Sequence, residues 1–235
     1  MTKQITLITG ATSGIGRETA VLFASHGIQV IAAGRNREAG ERLVSDIGDA
    51  RFIQTDISDP KSVSNLFNQL DRVDYAINNA GIEGSLGPVA NMREEDWDIL
   101  MNTNLKGLWL CMKHEIARML QNGGSIVNIS TNLTRMSIPN TGVYTASKAA
   151  VEALSRIAAV ENGKHGIRIN TINPGAVDTP MLRRIYSEEI LSQLRKENPL
   201  GKIAHPTEIA HAIFWLCSPS SSHVNGTSFA VDGGG

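Results

Sequence analysis

A chain of 235 residues, 41% hydrophobic and 19% charged, is long enough to bury a sizeable core and too apolar to remain disordered. A disulfide-stapled miniprotein is excluded. The 22 Lys and Arg side chains meet 23 Asp and Glu, a formal net charge of -1, so no global field draws the chain to nucleic acid or an anionic membrane. Cys111 and Cys217 have no C-x-x-C partner and no His at ligand spacing, which reads as packed, reduced thiols. The six histidines form no ligand-spaced cluster with Cys or carboxylates, so no metal site is expected. The N-terminus enters a strand-like segment within a few residues, and no run approaches the ~20 apolar residues of a membrane span. The expectation is a soluble, cytoplasmic protein with neither membrane nor nucleic acid as partner.

In chain order, β-branched apolar runs at 4–9, 29–33, 51–54, 75–78, 125–130, 168–173 and 228–231 alternate with helical patterns at 16–26, 37–47, 61–69, 94–120, 143–164 and 206–218. That alternation predicts one doubly wound α/β domain over 1–235, a seven-stranded parallel sheet with helices on both faces. The 94–120 segment is apolar on more than one side around 105–112. It is read either as a contact with a second subunit, making a homodimer or homotetramer, or as a helix buried within its own domain. The least regular stretch, about 175–204, carries a helical patch at 188–196 and is expected to be a lid over a site.

The first predicted strand runs into Gly10, Ser13, Gly14, Ile15 and Gly16, after which a helix begins. Glycines there let the backbone approach a pyrophosphate, and the helix N-terminus offers free N–H groups and partial positive charge. The spacing is G-x-x-x-G-x-G, and a glycine turn is a weak signal without its context. The second strand ends in Gly34-Arg35-Asn36-Arg37 with no carboxylate at its tip. Guanidiniums there suit the 2′-phosphate of NADP(H); NAD is the alternative, with both arginines merely solvated.

Tyr144 and Lys148 stand at i and i+4 of a predicted helix, on one face and within reach of a common ligand. At an effective dielectric of about 20 and a separation of about 5 Å, the ammonium favours the tyrosinate by roughly 3 kcal/mol, or about 2 pKa units.

The glycine turn, Asn78-Asn79-Ala80-Gly81, Asn104 in Asn104-Leu105-Lys106-Gly107, Tyr144 with Lys148, and Asn173-Pro174-Gly175 followed by Thr179 together resemble the short-chain dehydrogenase/reductase family, over essentially the whole chain. The resemblance implies a Rossmann fold and an NAD(P)(H)-dependent oxidoreductase interconverting a ketone or aldehyde and an alcohol. It implies Tyr144 as general acid/base, Lys148 on the nicotinamide ribose, and Asn104 holding a water in the proton relay. By the same resemblance Gly10, Ser13, Gly14, Ile15 and Gly16 approach the pyrophosphate and Asp56 accepts from the adenine amino group beside Ile57. Asn78, Ala80 and Gly81 line the cofactor cleft, and Val177 and Thr179, after Pro174-Gly175, hold the carboxamide.

The family's usual serine, thirteen positions before the tyrosine, is Thr131 here, preceded by Ser130. Neighbouring strand residues face opposite ways, so one hydroxyl serves, and Thr131 is the expectation for polarising the carbonyl. Met136 and Tyr186 are expected to touch substrate, and Arg183 and Arg184 either attract an anionic group or are solvated. An NAD-dependent cyclic alcohol or dihydrodiol dehydrogenase is the enzymatic alternative. A dinucleotide-sensing protein without turnover is the other, disfavoured by the retained Asn104, Tyr144 and Lys148.

Overall fold

The computed structural model describes residues 3–235. Seven strands, β1 (Ile5–Thr9), β2 (Gln29–Gly34), β3 (Ala50–Gln54), β4 (Tyr75–Asn78), β5 (Gly124–Ile129), β6 (Ile167–Pro174) and β7 (Ser228–Val231), form one parallel sheet in the order β3-β2-β1-β4-β5-β6-β7. Period-2 alternation divides the strand residues between two cores. Leu7, Ile31, Ala76 and Ile126 pack with α3 (Pro60–Phe67), α5 (Leu108–Met119) and α6 (Gly142–Asn162). Their neighbours Ile8, Ala32, Ile77 and Val127 pack with α1 (Gly14–Ser25), α2 (Arg37–Ile47) and α9 (Pro206–Cys217). This is the doubly wound Rossmann arrangement expected from the sequence. Strand order reverses beside β1, between β2 and β4, and that switch point opens a crevice at the carboxyl ends of the strands. Cys111 and Cys217 are free and buried.

The structure departs from the expected elements in two places. The single helix expected over 94–120 is three pieces: α4 (Glu94–Met101), a π-helical segment Asn102–Gly107, and α5. The break has a packing cause. A Cβ on Gly107 would lie 2.5 Å from Ile57 O, and buried Asn104 clamps the Ile82 backbone, accepting from its N–H and donating to its C=O, both at 2.8 Å. Single π turns inside helices are characteristic of functional sites.

The irregular stretch near 175–204 contains two helices, α7 (Pro180–Ile185) and α8 (Glu188–Glu197). The first was not expected, although Thr179-Pro180 encodes its start: Thr179 Oγ1 accepts from Leu182 N at 3.3 Å, and proline at the first helical position has no N–H to leave unpaired. Among the described residues no helix is long and apolar enough to cross a membrane.

Candidate active site

A cleft of about 670 Å³ opens along the carboxyl ends of the strands, a size usual for small-ligand sites. Its floor begins at the turn after β1. Gly10 and Gly14 have φ of +65° and +53°, conformations that side-chain-bearing residues rarely adopt. A Cβ on Gly10 would sit 2.8 Å from Ala80 Cα, and one on Gly16 would collide with Gly10 O. The turns after β1 and β4 are joined by Thr9 Oγ1, which accepts from Asn79 N and Ala80 N at 3.2 Å. Asn79 Nδ2 donates back to Thr9 O and Gly10 O at 3.2 and 3.0 Å. Ser13 is the N-cap of α1 and makes no side-chain cap bond, so its hydroxyl and the first N–H groups of the helix are open to an anion.

Arg35 is exposed and lines the cleft. Arg37 does not join it. Its guanidinium donates to Gln54 Oε1 at 3.2 Å and pairs with Glu41 at 3.7 Å, on a separate surface groove. Of the two guanidiniums expected at the tip of β2, one faces the crevice, because Arg37 has entered α2 and points along its flank. Asp56 and Ile57 follow β3 and line the same end; Asp56 Oδ1 accepts from Ser58 N and Oγ at 2.9 and 2.7 Å, leaving Oδ2 for a ligand.

Asn78 lies outside the cleft. It is 2% exposed, and its amide donates to Glu115 Oε2 at 2.8 Å and Asn128 Oδ1 at 2.9 Å, because as the last residue of β4 it points into the sheet's own core. Asn79, one residue later, carries the contact with the glycine turn. Ala80 and Gly81 do line the cleft. Asn104 stands behind that wall, fully buried, with its Oδ1 3.2 Å from where a Gly81 Cβ would be and Lys148 Nζ 3.5 Å from the same point. Gly16 is likewise buried behind the turn it permits.

The other end of the cleft is built by β5, α6 and the segment after β6. Ser130 Oγ donates to Glu152 Oε1 at 2.7 Å. Ser130 and Thr131 both line the cleft with Tyr144, against the expectation that only one would face it, and the Thr131 hydroxyl accepts only a long 3.3 Å contact from Leu133 N. Lys148 Nζ donates to Ile129 O at 2.8 Å and lies 5.9 Å from the Tyr144 ring centre. Burial pushes the Tyr144 phenol up to about 12, with the charges of Glu83 and Tyr186 adding to the rise, and burial brings Lys148 down to about 8. Desolvation thus acts on Tyr144 against the lowering expected from the ammonium.

Pro174, Gly175, Val177 and Thr179 line the side opposite Gly14, whose Cβ would meet Thr179 Cγ2 at 3.0 Å. Met136, Ile138, Met181, Leu182, Ile185 and Tyr186 give the remainder an apolar character. Arg183 is held bidentately by Asp178 at 2.6 and 2.7 Å, and Arg184 by Glu83 at 3.1 Å, so both guanidiniums are ion-paired. Glu83, Ile138 and Leu182 line the cleft as expected for the segments that edge it, whereas the contributions of Asn79, Thr12, Met181 and Ile185 were not anticipated. Asn79 alone carried a signal, as the second amide of Asn78-Asn79-Ala80-Gly81. Among the described residues no group of three His, Cys, Asp or Glu side chains gathers as a metal site.

Residues 10–235 match the family described as enoyl-(acyl carrier protein) reductase. The chain is 39% identical over 237 residues to a 2,5-dichloro-2,5-cyclohexadiene-1,4-diol dehydrogenase of Sphingobium indicum, covering 97% of this chain and 95% of that protein. It is 34% identical over 242 residues to an NADP-dependent (R)-specific alcohol dehydrogenase of Lentilactobacillus kefiri, covering 98% and 96%. Among solved structures, an actinorhodin polyketide ketoreductase with NADPH matches at a TM-score of 0.94 with 27% identity, over 99% of this chain and 97% of that one. The chain belongs to the short-chain dehydrogenase/reductase family and is an NAD(P)-dependent oxidoreductase. Its residues fit that cofactor: a backbone cradle that a Cβ at Gly10 or Gly16 would close, an unused helix N-terminus, and an unpaired Asp56 oxygen.

Proposed function

We propose that the protein is an NADP(H)-dependent dehydrogenase interconverting an uncharged alcohol and its ketone or aldehyde, with residues 1–235 as one dinucleotide-binding and catalytic domain and a lid at about 175–204. The observation that carries the reading is the convergence of Tyr144, Lys148 and Thr131 on the cleft that also holds the glycine turn. The cofactor supplies or accepts the hydride when bound. Tyr144 Oη gives a proton to the carbonyl oxygen in reduction and takes it back in oxidation, while Thr131 Oγ1 donates to that oxygen. Lys148 has one N–H on Ile129 O and two others for the ribose hydroxyls. Asn104 fixes the Gly81–Ile82 wall; its second amide hydrogen and its main-chain carbonyl are its means of holding a relay water. Ser13, Gly14 and Ile15 bind the pyrophosphate, and Thr179 the carboxamide. The apolar walls and paired lid arginines favour a neutral carbon skeleton, contacted by Met136 and Tyr186. The ring-diol dehydrogenase among the relatives is in keeping with an alicyclic alcohol.

Loss of NADPH absorbance on a panel of ketones, aldehydes and cyclic diketones tests this reading; binding of the cofactor without turnover across the panel favours a sensor instead. Arg35 sets the cofactor prediction. Its guanidinium has no hydrogen-bond or ion-pair partner among the described residues and faces the cleft, where it can pair a 2′-phosphate. The kcat/KM ratio for NADP⁺ over NAD⁺ is expected to exceed one, and Arg35→Ala to lower it about tenfold to hundredfold, the range of a charge-assisted pair worth about 1.5–3 kcal/mol. The single guanidinium keeps the second reading specific: with Arg37 turned away, parity or an NAD⁺ preference would favour an NAD-dependent cyclic alcohol or dihydrodiol dehydrogenase.

The outer faces of α4, α5 and α6 expose Ile99, Trp109, Ile157 and Val160 at 59%, 41%, 57% and 79%. An apolar face of that kind on adjacent helices suits a second copy of the chain, in a homodimer or homotetramer. Sedimentation equilibrium is expected to read a multiple of 25.3 kDa; a monomer mass at micromolar concentration would refute it.

A further inference from the structure

Glu152 has no part in the reading above, yet it follows Tyr144 and Lys148 along α6 at successive intervals of four, which puts all three on one side of the helix. Its carboxylate gathers donors from three strands. Oε1 accepts from Ser130 Oγ at 2.7 Å, just past the end of β5, and from Asn173 Nδ2 at 2.6 Å on β6. Oε2 accepts from Ser228 Oγ at 3.1 Å on β7. The helix that carries the phenol is thereby tied to the strand ends that carry the cleft wall.

The same contacts separate the two hydroxyls that stand side by side in that wall. A hydroxyl has one proton to give. Ser130 gives its own to Glu152, with the Lys148 carbonyl a longer alternative at 3.3 Å. The Thr131 hydroxyl accepts from Leu133 N at 3.3 Å, and among the described residues it has no acceptor for its proton. Asn173 extends the reach of Glu152. Its side chain is fully buried, and Nδ2 also donates to Thr131 O at 3.1 Å, with Thr134 Oγ1 at 3.3 Å from the same nitrogen. Its Oδ1 accepts from Thr171 Oγ1 at 3.2 Å. A carboxylate and a main-chain carbonyl both face Nδ2, so the amide is held this way round.

We propose that Glu152 is a positioning residue that assigns the polarising role to Thr131: it takes up the Ser130 proton and, through Asn173, fixes the Thr131 main chain in the cleft wall. Its catalytic consequence rests on the reading of Thr131 as the hydroxyl that polarises the carbonyl. Glu152 acts as an acceptor at a set reach, not as a charge. Glutamine keeps that reach, since its oxygen can accept from Ser130 and Asn173 while its amide donates to Ser228 Oγ. Aspartate keeps the charge and is shorter by one methylene, which withdraws the acceptor from both donors. Ser130 and Asn173 each retain a second acceptor, Lys148 O and Thr131 O, when Glu152 is replaced.

Threonine-methyl NMR, with the Thr131 signal assigned by Thr131→Ala, follows this side chain without any substrate. Glu152→Gln is expected to leave the signal in place, and Glu152→Asp and Glu152→Leu to shift or broaden it, while the buried Thr6 and Thr19 of β1 and α1 keep theirs. A Thr131 signal unmoved in Glu152→Asp overturns the proposal, and so does one moved as far in Glu152→Gln, the mark of a charge effect. Should Glu152→Leu fail to fold, Glu152→Asp against Glu152→Gln carries the comparison. Reduction of cyclohexanone by NADPH reads the consequence for the reaction. Glu152→Asp is expected to lower kcat about tenfold to hundredfold, the range for a misplaced catalytic group, and by less than about twofold when Thr131 is already alanine, because the two act through one hydroxyl. Equal losses in the two backgrounds make Glu152 a structural residue and overturn the proposal. Turnover retained in Thr131→Ala would remove the polarising role alone, since the methyl comparison decides the positioning whether or not cyclohexanone is reduced.

Discussion

Tyr144→Phe is expected to lower turnover about 10²- to 10⁴-fold, the usual loss on removing a positioned general acid/base, while the affinity for the dinucleotide changes by less than about threefold. The substitution deletes one oxygen and keeps the ring that packs over Lys148, so the fold and the cofactor cradle have no reason to change. Stopped turnover and dye-free calorimetric binding of NADP⁺ read the two quantities separately; turnover within tenfold of wild type would remove Tyr144 from the proton path. The adjoining hydroxyls sharpen the test. Thr131→Ala is expected to cost turnover, because the residue lines the cleft and its Oγ1 is engaged only by a 3.3 Å local contact. Ser130→Ala is expected to cost stability, about 1 kcal/mol, through its 2.7 Å bond to Glu152. The reverse result would place the polarising hydroxyl on Ser130.

The second large effect concerns Glu115, which the reaction does not use. It is fully buried on α5, its Oε2 accepts from Asn78 Nδ2 at 2.8 Å, and Oε1 has no hydrogen-bond partner. Asn78 in turn bonds Asn128, whose Nδ2 donates to Ser155 Oγ at 2.8 Å, a polar chain running from α5 through β4 and β5 to α6. Desolvation raises the Glu115 carboxyl from 4.5 to about 8, against a smaller lowering by the Asn78 bond. The folded state therefore keeps a proton that the unfolded chain loses above about pH 4.5. Relative to an uncharged side chain, the wild type has its full stability below that pH and loses it as pH rises toward 8. The loss is about 1.4 kcal/mol per unit and amounts to about 5 kcal/mol across the window. Glu115→Gln keeps the size and an acceptor for Asn78 and has no proton to lose. Its unfolding free energy minus that of wild type should grow more positive from pH 5 to 8 in denaturant titrations. A difference that stays constant with pH would show that Glu115 ionises normally inside the fold.

Local pattern carried the sheet. Leu7 and Ile8, Ala76 and Ile77, and Ile126 and Val127 each divide between the two cores, because successive strand residues must face opposite ways and both faces are covered by helices. The glycine turn was legible for a related reason: positive φ at Gly10 and Gly14 is something glycine alone tolerates easily, so the residue type reports the backbone. The i, i+4 spacing of Tyr144 and Lys148 placed both on the cleft side of α6.

What sequence spacing could not resolve was the direction in which a side chain at the end of an element turns. Asn78 and Asn79 are the same residue type one position apart, yet the first belongs to the buried Glu115 chain and the second braces the glycine turn. Arg35 and Arg37 differ similarly, one on the crevice and one along α2. The break at Asn102–Gly107 arises from contacts with Ile57 and Ile82, residues distant in the chain, so helical periodicity over 94–120 could not report it.

By itself, then, the sequence determined the Rossmann sheet, the dinucleotide turn and the Tyr144–Lys148 pair, because each depends on backbone preference or on spacing within one element. Only the tertiary structure decided which amide and guanidinium face the cleft, the burial that sets the proton affinities of Tyr144, Lys148 and Glu115, and the meeting of Glu83 with Arg184. Desolvation and ion pairing depend on what other segments bring to a side chain, and those segments lie many tens of residues away.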